Sequence, residues 1–434
     1  MADKPKPNPQ VFRSNRWNQD HKKKKSSSGR NLSDLDRKKV LCSLGQNCCA
    51  YQFIHGDYAD SLQQKYESGL TQLREENLTE NTHIVSPQAS PKKLGYRCHA
   101  KLAVRPSAAA INNDEVSGRF AIGMFQPKSH KVVDISYCPL HKSSINRLIK
   151  DLKECLDRSS IEPYDENEHT GDLRYLAVRA SHHTDQLMLT FVCLNENSKQ
   201  PLKNLVLELR SKDHLISSAH ININPERTNT IFGSLSKRLV GADRLREQLC
   251  DLSFEIGPSS FFQVNPWQAE NVYRRVAALA GQDSRHSVAW DLYCGTGQIS
   301  MLLAANGFRV IGIEENPQAT RDAQKNVLRN QLDNPPTFMA GRVEAVYDAL
   351  PSWADEPKVI VVNPSRGGLS EEILTFLNER LTSTGAQLIY VSCEIKTLTR
   401  DLKALTAGSR QLVHLESFDM FPYTEKMEWL AVLK

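Results

Sequence analysis

Beyond residue 255 the apolar positions of the chain fall into short runs separated by amphipathic stretches. The runs 288–292, 310–313, 359–362 and 388–391 predict strands. The stretches 299–305, 317–330 and 371–380 predict the helices between them, and 267–280 a helix ahead of them. Continuous apolar strands alternating with helices predict a parallel, doubly wound sheet. Two more runs, 412–418 and 427–433, predict an antiparallel edge pair at the end. Upstream the pattern differs. Apolar alternation at 103–104, 120–123 and 132–135, interrupted by helical spacing over 142–156, predicts an α+β region. Residues 58–75 read as an amphipathic helix and 76–95 as a polar loop. The fold class is thus α/β, with a Rossmann-like carboxyl-terminal domain and an α+β central domain. The expected division is a tail over 1–40, a cysteine segment with the central domain over 41–255, and the α/β domain over 256–434.

Charge changes this picture at one end only. Residues 1–40 carry twelve Lys/Arg against four Asp/Glu, and the remainder carries 43 against 46. The Lys22–Lys25 run followed by Ser26-Ser27-Ser28-Gly29 cannot build a core, so a disordered tail is expected. It reads either as a solvated tail or as an arm that binds a polyanion. No apolar run approaches the length of a membrane span, and the first ten residues are charged and Pro-rich. A cytoplasmic address is the expectation, with no membrane and no obligate protein partner. Ten cysteines, scattered as they are, do not make a secreted disulfide scaffold.

Two strand ends carry candidate chemistry. Asp291-Leu292-Tyr293-Cys294-Gly295-Thr296-Gly297 places a Gly-x-Gly turn after the first strand. Glu314 ends the next strand, where a carboxylate can accept hydrogen bonds from ribose hydroxyls. Ser300 stands where a dinucleotide fingerprint wants its third glycine, so S-adenosylmethionine suits the turn better than a nicotinamide cofactor. A plain structural turn is the alternative. Cys294 and Trp290 read as packing. The other strand end is Val391-Ser392-Cys393, followed by a helix over 397–405. By position alone Cys393 is either a small core side chain or a nucleophile.

Six segments in order make a more specific pattern. They are Phe261-Phe262-Gln263-Val264-Asn265-Pro266, the Asp291–Gly297 turn, Gly312-Ile313-Glu314, Val361-Val362-Asn363-Pro364-Ser365-Arg366-Gly367-Gly368, Tyr390-Val391-Ser392-Cys393, and the stretch from Asp419 through Pro422 to Glu428. Together they resemble the RNA uracil-C5 methyltransferase family. Upstream, Gly95-Tyr96-Arg97 and Cys138-Pro139-Leu140 resemble that family's central, RNA-binding domain. The resemblance implies S-adenosylmethionine-dependent formation of 5-methyluridine in RNA. It assigns Cys393 as the nucleophile that adds to uracil C6, and Glu428 as the base that removes the C5 proton. It assigns Gln263, Tyr293, Glu314 and Asn363 as cofactor contacts, with Arg366 at the same rim facing phosphate or base. It also implies a 4Fe–4S cluster held by a Cys-x5-Cys-x2-Cys run and a later cysteine. Cys42 and Cys48 have the five-residue gap, Tyr51 falls on the third ligand, Cys49 is its nearest substitute, and Cys138 matches the fourth. Cluster and metal-free remnant both stand as readings.

The sequence departs from the family pattern near the thiol. Glu394-Ile395 replaces the usual Asn-Pro, Ser365 replaces a proline, and Tyr423 and Lys426 replace two histidines. Glu394 sets a negative charge beside Cys393, which Lys396 and Arg400 are expected to offset. The resemblance is to the compact branch acting on 23S ribosomal RNA. A transfer-RNA substrate, or a catalytically impaired RNA-binding homologue acting in ribosome assembly, are the other readings.

Overall fold

The computed structural model describes residues 54, 56–107, 118–283 and 286–434. The basic tail and Cys42, Cys48 and Cys49 lie outside the described residues. In chain order, α1 (Tyr58–Glu75) and β1 (His83–Ile84) come first. Strands β2 (His99–Pro106), β3 (Phe120–Phe125) and β4 (Val132–Asp134) precede α2 (Ser143–Asp157). Then come β5 (Leu173–Ala180), β6 (Leu187–Cys193), α3 (Lys199–Ser211), β7 (Ile216–Ile223) and β8 (Leu235–Gly241). These strands form one sheet in the order β4-β3-β2-β5-β6-β7-β8, antiparallel except for β6–β7. Helices α2 and α3 cover one face through Leu148, Leu152, Leu205 and Leu209. Every second residue of β5 and β6 points into that layer, which is the alternation visible in the sequence.

A hairpin of β9 (Leu245–Leu249) and β10 (Leu252–Ile256) leads to α4 (Pro266–Ala280). The second large sheet then begins. Its segments are β11 (Val288–Leu292), α5 (Gln298–Ala305), β12 (Arg309–Glu314), α6 (Pro317–Asn330) and β13 (Thr337–Ala340). They continue with α7 (Val343–Val346), β14 (Pro357–Val362), α8 (Glu371–Thr384), β15 (Gln387–Ser392) and α9 (Ile395–Leu405). The chain closes on β16 (Leu412–Phe418) and β17 (Glu428–Leu433). The order is β1-β16-β17-β15-β14-β11-β12-β13, with β11 to β15 mutually parallel and β17 antiparallel to both neighbours. Both faces are buried. Trp290, Ile360, Leu388 and Trp429 face one layer, while Ala289, Val361, Ile389 and Leu430 face the other. Such strands read as unbroken apolar runs. The architecture is a Rossmann-like α/β sheet beside an α+β sheet.

Three expectations change. The last two strands are an antiparallel pair but not an edge pair, because β17 lies inside the sheet and β1 pairs in parallel with β16. That strand comes from the stretch read as loop, and two residues are too few to show any period. An edge strand, β13, was also invisible, since it is four residues long with an exposed alternate position. Helix α9 starts at Ile395 rather than at residue 397, directly after the thiol. Helix α1 packs on the inner strand β17. Tyr66 stacks on Trp429 at 6.0 Å, and a Cβ at Gly69 would come within 2.3 Å of that indole. Only glycine fits this close approach in mid-helix.

Candidate active site

The carboxyl ends of β11, β12, β14 and β15 lie on one rim because these strands are parallel and in register. Leu292 pairs with both Ile313 and Val362, and Val362 pairs with Tyr390. The residues just beyond, Tyr293, Glu314, Asn363 and Cys393, therefore share that rim. Their neighbour β17 enters from the same side in the opposite sense. Ser392 pairs with Trp429, so one further step of the ladder sets Cys393 against Glu428.

At the turn after β11, Glu314 accepts from Gly295 N–H and Asn316 N–H, both at 2.9 Å. This carboxylate holds the turn open at its base. Gly295 and Gly297 have φ of 58° and 85°, and no heavy atom lies within 4 Å of a Cβ built on Gly295. Tyr293 adopts φ of 64°, a strained conformation for a bulky residue. Asp291 is buried, and burial pushes its carboxyl up to about 7. Ser300 donates to its Oδ2 at 2.5 Å, which accounts for a serine in place of a third glycine. Asp291 Oδ1 and Thr296 Oγ1 are buried without a hydrogen-bond partner. An open cradle, a carboxylate at its edge and unsatisfied polar atoms beneath it fit an adenosine-bearing ligand. Gln263 hydrogen-bonds Tyr273, whose phenol also feels the charge of Glu428. Asn363 follows β14 and donates its N–H to Leu292 O at 3.3 Å.

At the thiol, Cys393 is half-buried. Burial and the nearby Glu428 carboxylate raise its pKa, while a hydrogen bond and the positive charge of Arg366 act the other way. Arg366 thus faces sulfur, a placement the sequence pattern left between phosphate and base. Burial alone pushes Glu428 up to about 7. The cation that meets Glu394 is Lys426, which the sequence reading did not name as its partner. Lys426 Nζ meets Glu394 Oε2 at 2.5 Å, whereas Arg400 pairs with Asp401 at 2.6 Å. Side-chain reach across the 419–427 loop decides this, and helical spacing from the cysteine could not show it.

Two anchors of the site escaped the sequence reading. Asn265, fully buried, donates to Ser90 Oγ and Met420 O at 3.0 and 3.1 Å, tying the segment around Gln263 to the loop before Glu428. Lys65 of α1 is also buried. Its ammonium meets Asp419 Oδ1 at 2.5 Å and the carbonyls of Phe421, Thr424 and Lys426 at 3.3–3.4 Å. A lysine at the spacing of the apolar face of an amphipathic helix was the available signal. The central sheet joins the rim where Cys98 N–H donates to Val264 O at 2.8 Å and Arg179 to Ser260 O at 2.7 Å.

Of the four expected cluster ligands only Cys138 is among the described residues. Cys138 lies half-buried near Tyr96 and Leu140, and no three His, Cys, Asp or Glu side chains converge as a metal site there. No described helix is long and apolar enough to cross a membrane.

The model of the tRNA (uracil-5-)-methyltransferase family matches residues 57–343 and 349–434. The chain belongs to this family. It is an RNA (uracil-C5) methyltransferase. An uncharacterized RNA methyltransferase of Listeria innocua is 36% identical over 321 residues, covering 73% of this chain and 69% of that protein. One from Staphylococcus epidermidis is 32% identical over 400 residues, covering 92% and 84%. Among solved structures, the tRNA (uracil-54, C5)-methyltransferase of Pyrococcus abyssi, in complex with S-adenosyl-L-homocysteine, is 27% identical. It superposes with a TM-score of 0.69 over 88% of this chain and 85% of that one.

Proposed function

We propose that this family member transfers a methyl group from S-adenosylmethionine to C5 of a uridine through a covalent adduct at Cys393. The observation that carries the reading is the meeting of Cys393 with Arg366 and Glu428 at the end of β15. Uracil C5 is too weak a nucleophile to take a methyl group unaided. Addition of the Cys393 thiolate to C6 moves the ring's electron pair toward C5. The bound cofactor supplies the sulfonium methyl that C5 accepts. Glu428 then takes the C5 proton, the electron pair returns to the ring, and the C6–sulfur bond breaks to restore the thiolate. A carboxyl titrating near 7 suits a group that must take and give up a proton near neutrality. We read Gln263, Tyr293, Glu314 and Asn363 as the cofactor contacts. The open Gly295 cradle and the S-adenosyl-L-homocysteine bound in the Pyrococcus enzyme support this.

Residues 41–255 are read as the half that holds RNA and 256–434 as the half that transfers the methyl group. The target is read as a uridine in a single-stranded loop, where a base can leave the stack. Resemblance to the compact branch favours 23S ribosomal RNA. The similarity to the Pyrococcus enzyme favours transfer RNA as the second reading. RNA carrying tritium at uridine C5 tests the reaction. Turnover with S-adenosylmethionine releases tritium to water, and a folded, RNA-binding protein that releases none is a catalytically impaired homologue. Mapping 5-methyluridine in both RNA pools after deletion separates the two targets.

A further inference from the structure

Glu394 and Lys426 are two of the positions at which this sequence departs from its family pattern, and they meet. Lys426 Nζ lies 2.5 Å from Glu394 Oε2. Each partner is fixed independently. The Glu394 backbone is held by Ser392 Oγ, which accepts its N–H at 3.2 Å, and by Leu398 N–H, which donates to its carbonyl at 3.1 Å. The Lys426 backbone is held by the Lys65 ammonium at its carbonyl and by Thr424 Oγ1 at its N–H. The Lys65 ammonium also gathers the carbonyls of Phe421 and Thr424 and the Asp419 carboxylate. The loop over 419–427 is thereby wrapped around a buried cation, with Lys426 directed at the residue beside the thiol.

We propose that Lys426 is a positioning residue for Cys393: it holds the Glu394 carboxylate off the sulfur, so that the thiol meets Arg366 and a single anion, Glu428, rather than two. This rests on the reading of Cys393 as nucleophile. The charged groups around the sulfur are Glu428 on β17, Arg366 after β14, and the Glu394–Lys426 pair. Of these, Glu428 and Arg366 bear most strongly on the thiol, and the Glu394 carboxylate is turned to the Lys426 ammonium. An acidic residue next to a nucleophilic cysteine is costly only while its charge is free to approach. The pair removes that freedom without removing the residue. Lys426 is not expected to touch substrate.

The test measures the rate of RNA adduct formation against pH in a Glu428→Gln background, where release of the adduct is blocked. Parent, Lys426→Met, and Lys426→Met with Glu394→Gln are compared, each first checked for S-adenosylmethionine binding. Lys426→Met is expected to move the acid limb up by about one pH unit, the effect of a like charge brought near a titrating group. Adding Glu394→Gln is expected to return it. A purely structural role for Lys426 leaves the limb in place and changes only the amplitude. A limb that does not move, or that stays moved after Glu394→Gln, overturns the proposal. If Lys426→Met fails to bind the cofactor, Glu394→Gln alone decides: a limb that stays where the parent has it supports the pair, and a limb at lower pH, which shows the Glu394 charge already acting on the sulfur, or at higher pH overturns it. If the parent itself forms no adduct, the failure belongs to the nucleophile reading and not to the pair.

Discussion

Two cysteines follow parallel strands of the same sheet, and their surroundings differ in exposure and in charge. Cys294, after β11, is buried among Gly312, Phe338 and the strand backbone, and burial drives its pKa well above the ordinary thiol range. The Asp291 and Glu314 charges push it further the same way. Cys393, after β15, is half-buried and faces a guanidinium. Burial raises the pKa of both thiols; Cys393 differs in being partly open and in having a guanidinium that acts against the rise. The two regions also differ in how they are built. The first is local, made by residues 291–314 with Phe338 closing beneath the turn. The second is assembled from Lys65, Arg366, Glu394, Lys426 and Glu428, which come from distant parts of the chain.

The largest expected effect tests that long-range assembly. Lys65→Met leaves the buried Asp419 carboxylate without its cation and is expected to cost about 3–5 kcal/mol of folding stability in denaturant titration. The pair of changes Lys65→Met and Asp419→Asn is expected to recover most of it. A small loss in the single variant would mean that the loop is held by other contacts. Next in size is a change confined to the local region. Glu314→Gln is expected to weaken S-adenosylmethionine binding about tenfold by calorimetry, through weaker hydrogen bonds to the turn and the ribose, while leaving the reactivity of Cys393 unaltered. The smallest effect bears on the two thiols directly. Under native conditions iodoacetamide should label Cys393 and spare Cys294. The labelling rate rises with pH as the thiolate forms. Arg366→Met removes the favourable charge and moves that rise to higher pH, and Glu428→Gln removes the unfavourable one and moves it to lower pH.

The contrast between local and distant construction also decides what the sequence could reveal. The alternation of strands and helices beyond residue 255 was legible because each strand is buried on both faces and each helix on one. The turn at Gly295 was legible because its parts lie within a few residues of one another. The hairpin β9–β10 was not, since its turn is made by Cys250 and Asp251 at φ of 53° and 64° rather than by the usual Asn-Gly. Strand β1 was hidden by its length. At the thiol, motif resemblance proposed Cys393 and Glu428, but the register that brings them together depends on β17 lying inside the sheet. The partners of Glu394 and Asp419 were beyond reach for the same reason: Lys426 and Lys65 meet them only through the tertiary fold.

Titration of Glu428 links this geometry to pH. Its folded pKa of about 7 lies above that of a free carboxyl, so its contribution to stability is greatest at low pH and is lost as pH rises through 7. Under the proposed mechanism catalysis runs the other way, because only the ionised carboxylate can take the C5 proton. The central claim is that Cys393 forms the bond to RNA and Glu428 is needed to break it. The most direct measurement incubates Glu428→Gln with S-adenosylmethionine and substrate RNA, then resolves protein from RNA under denaturing conditions and maps the cross-linked peptide. A covalent complex at Cys393 is expected to accumulate, and to be absent when Cys393→Ala is added. A complex that persists after Cys393→Ala, or one joined at another residue, would contradict it.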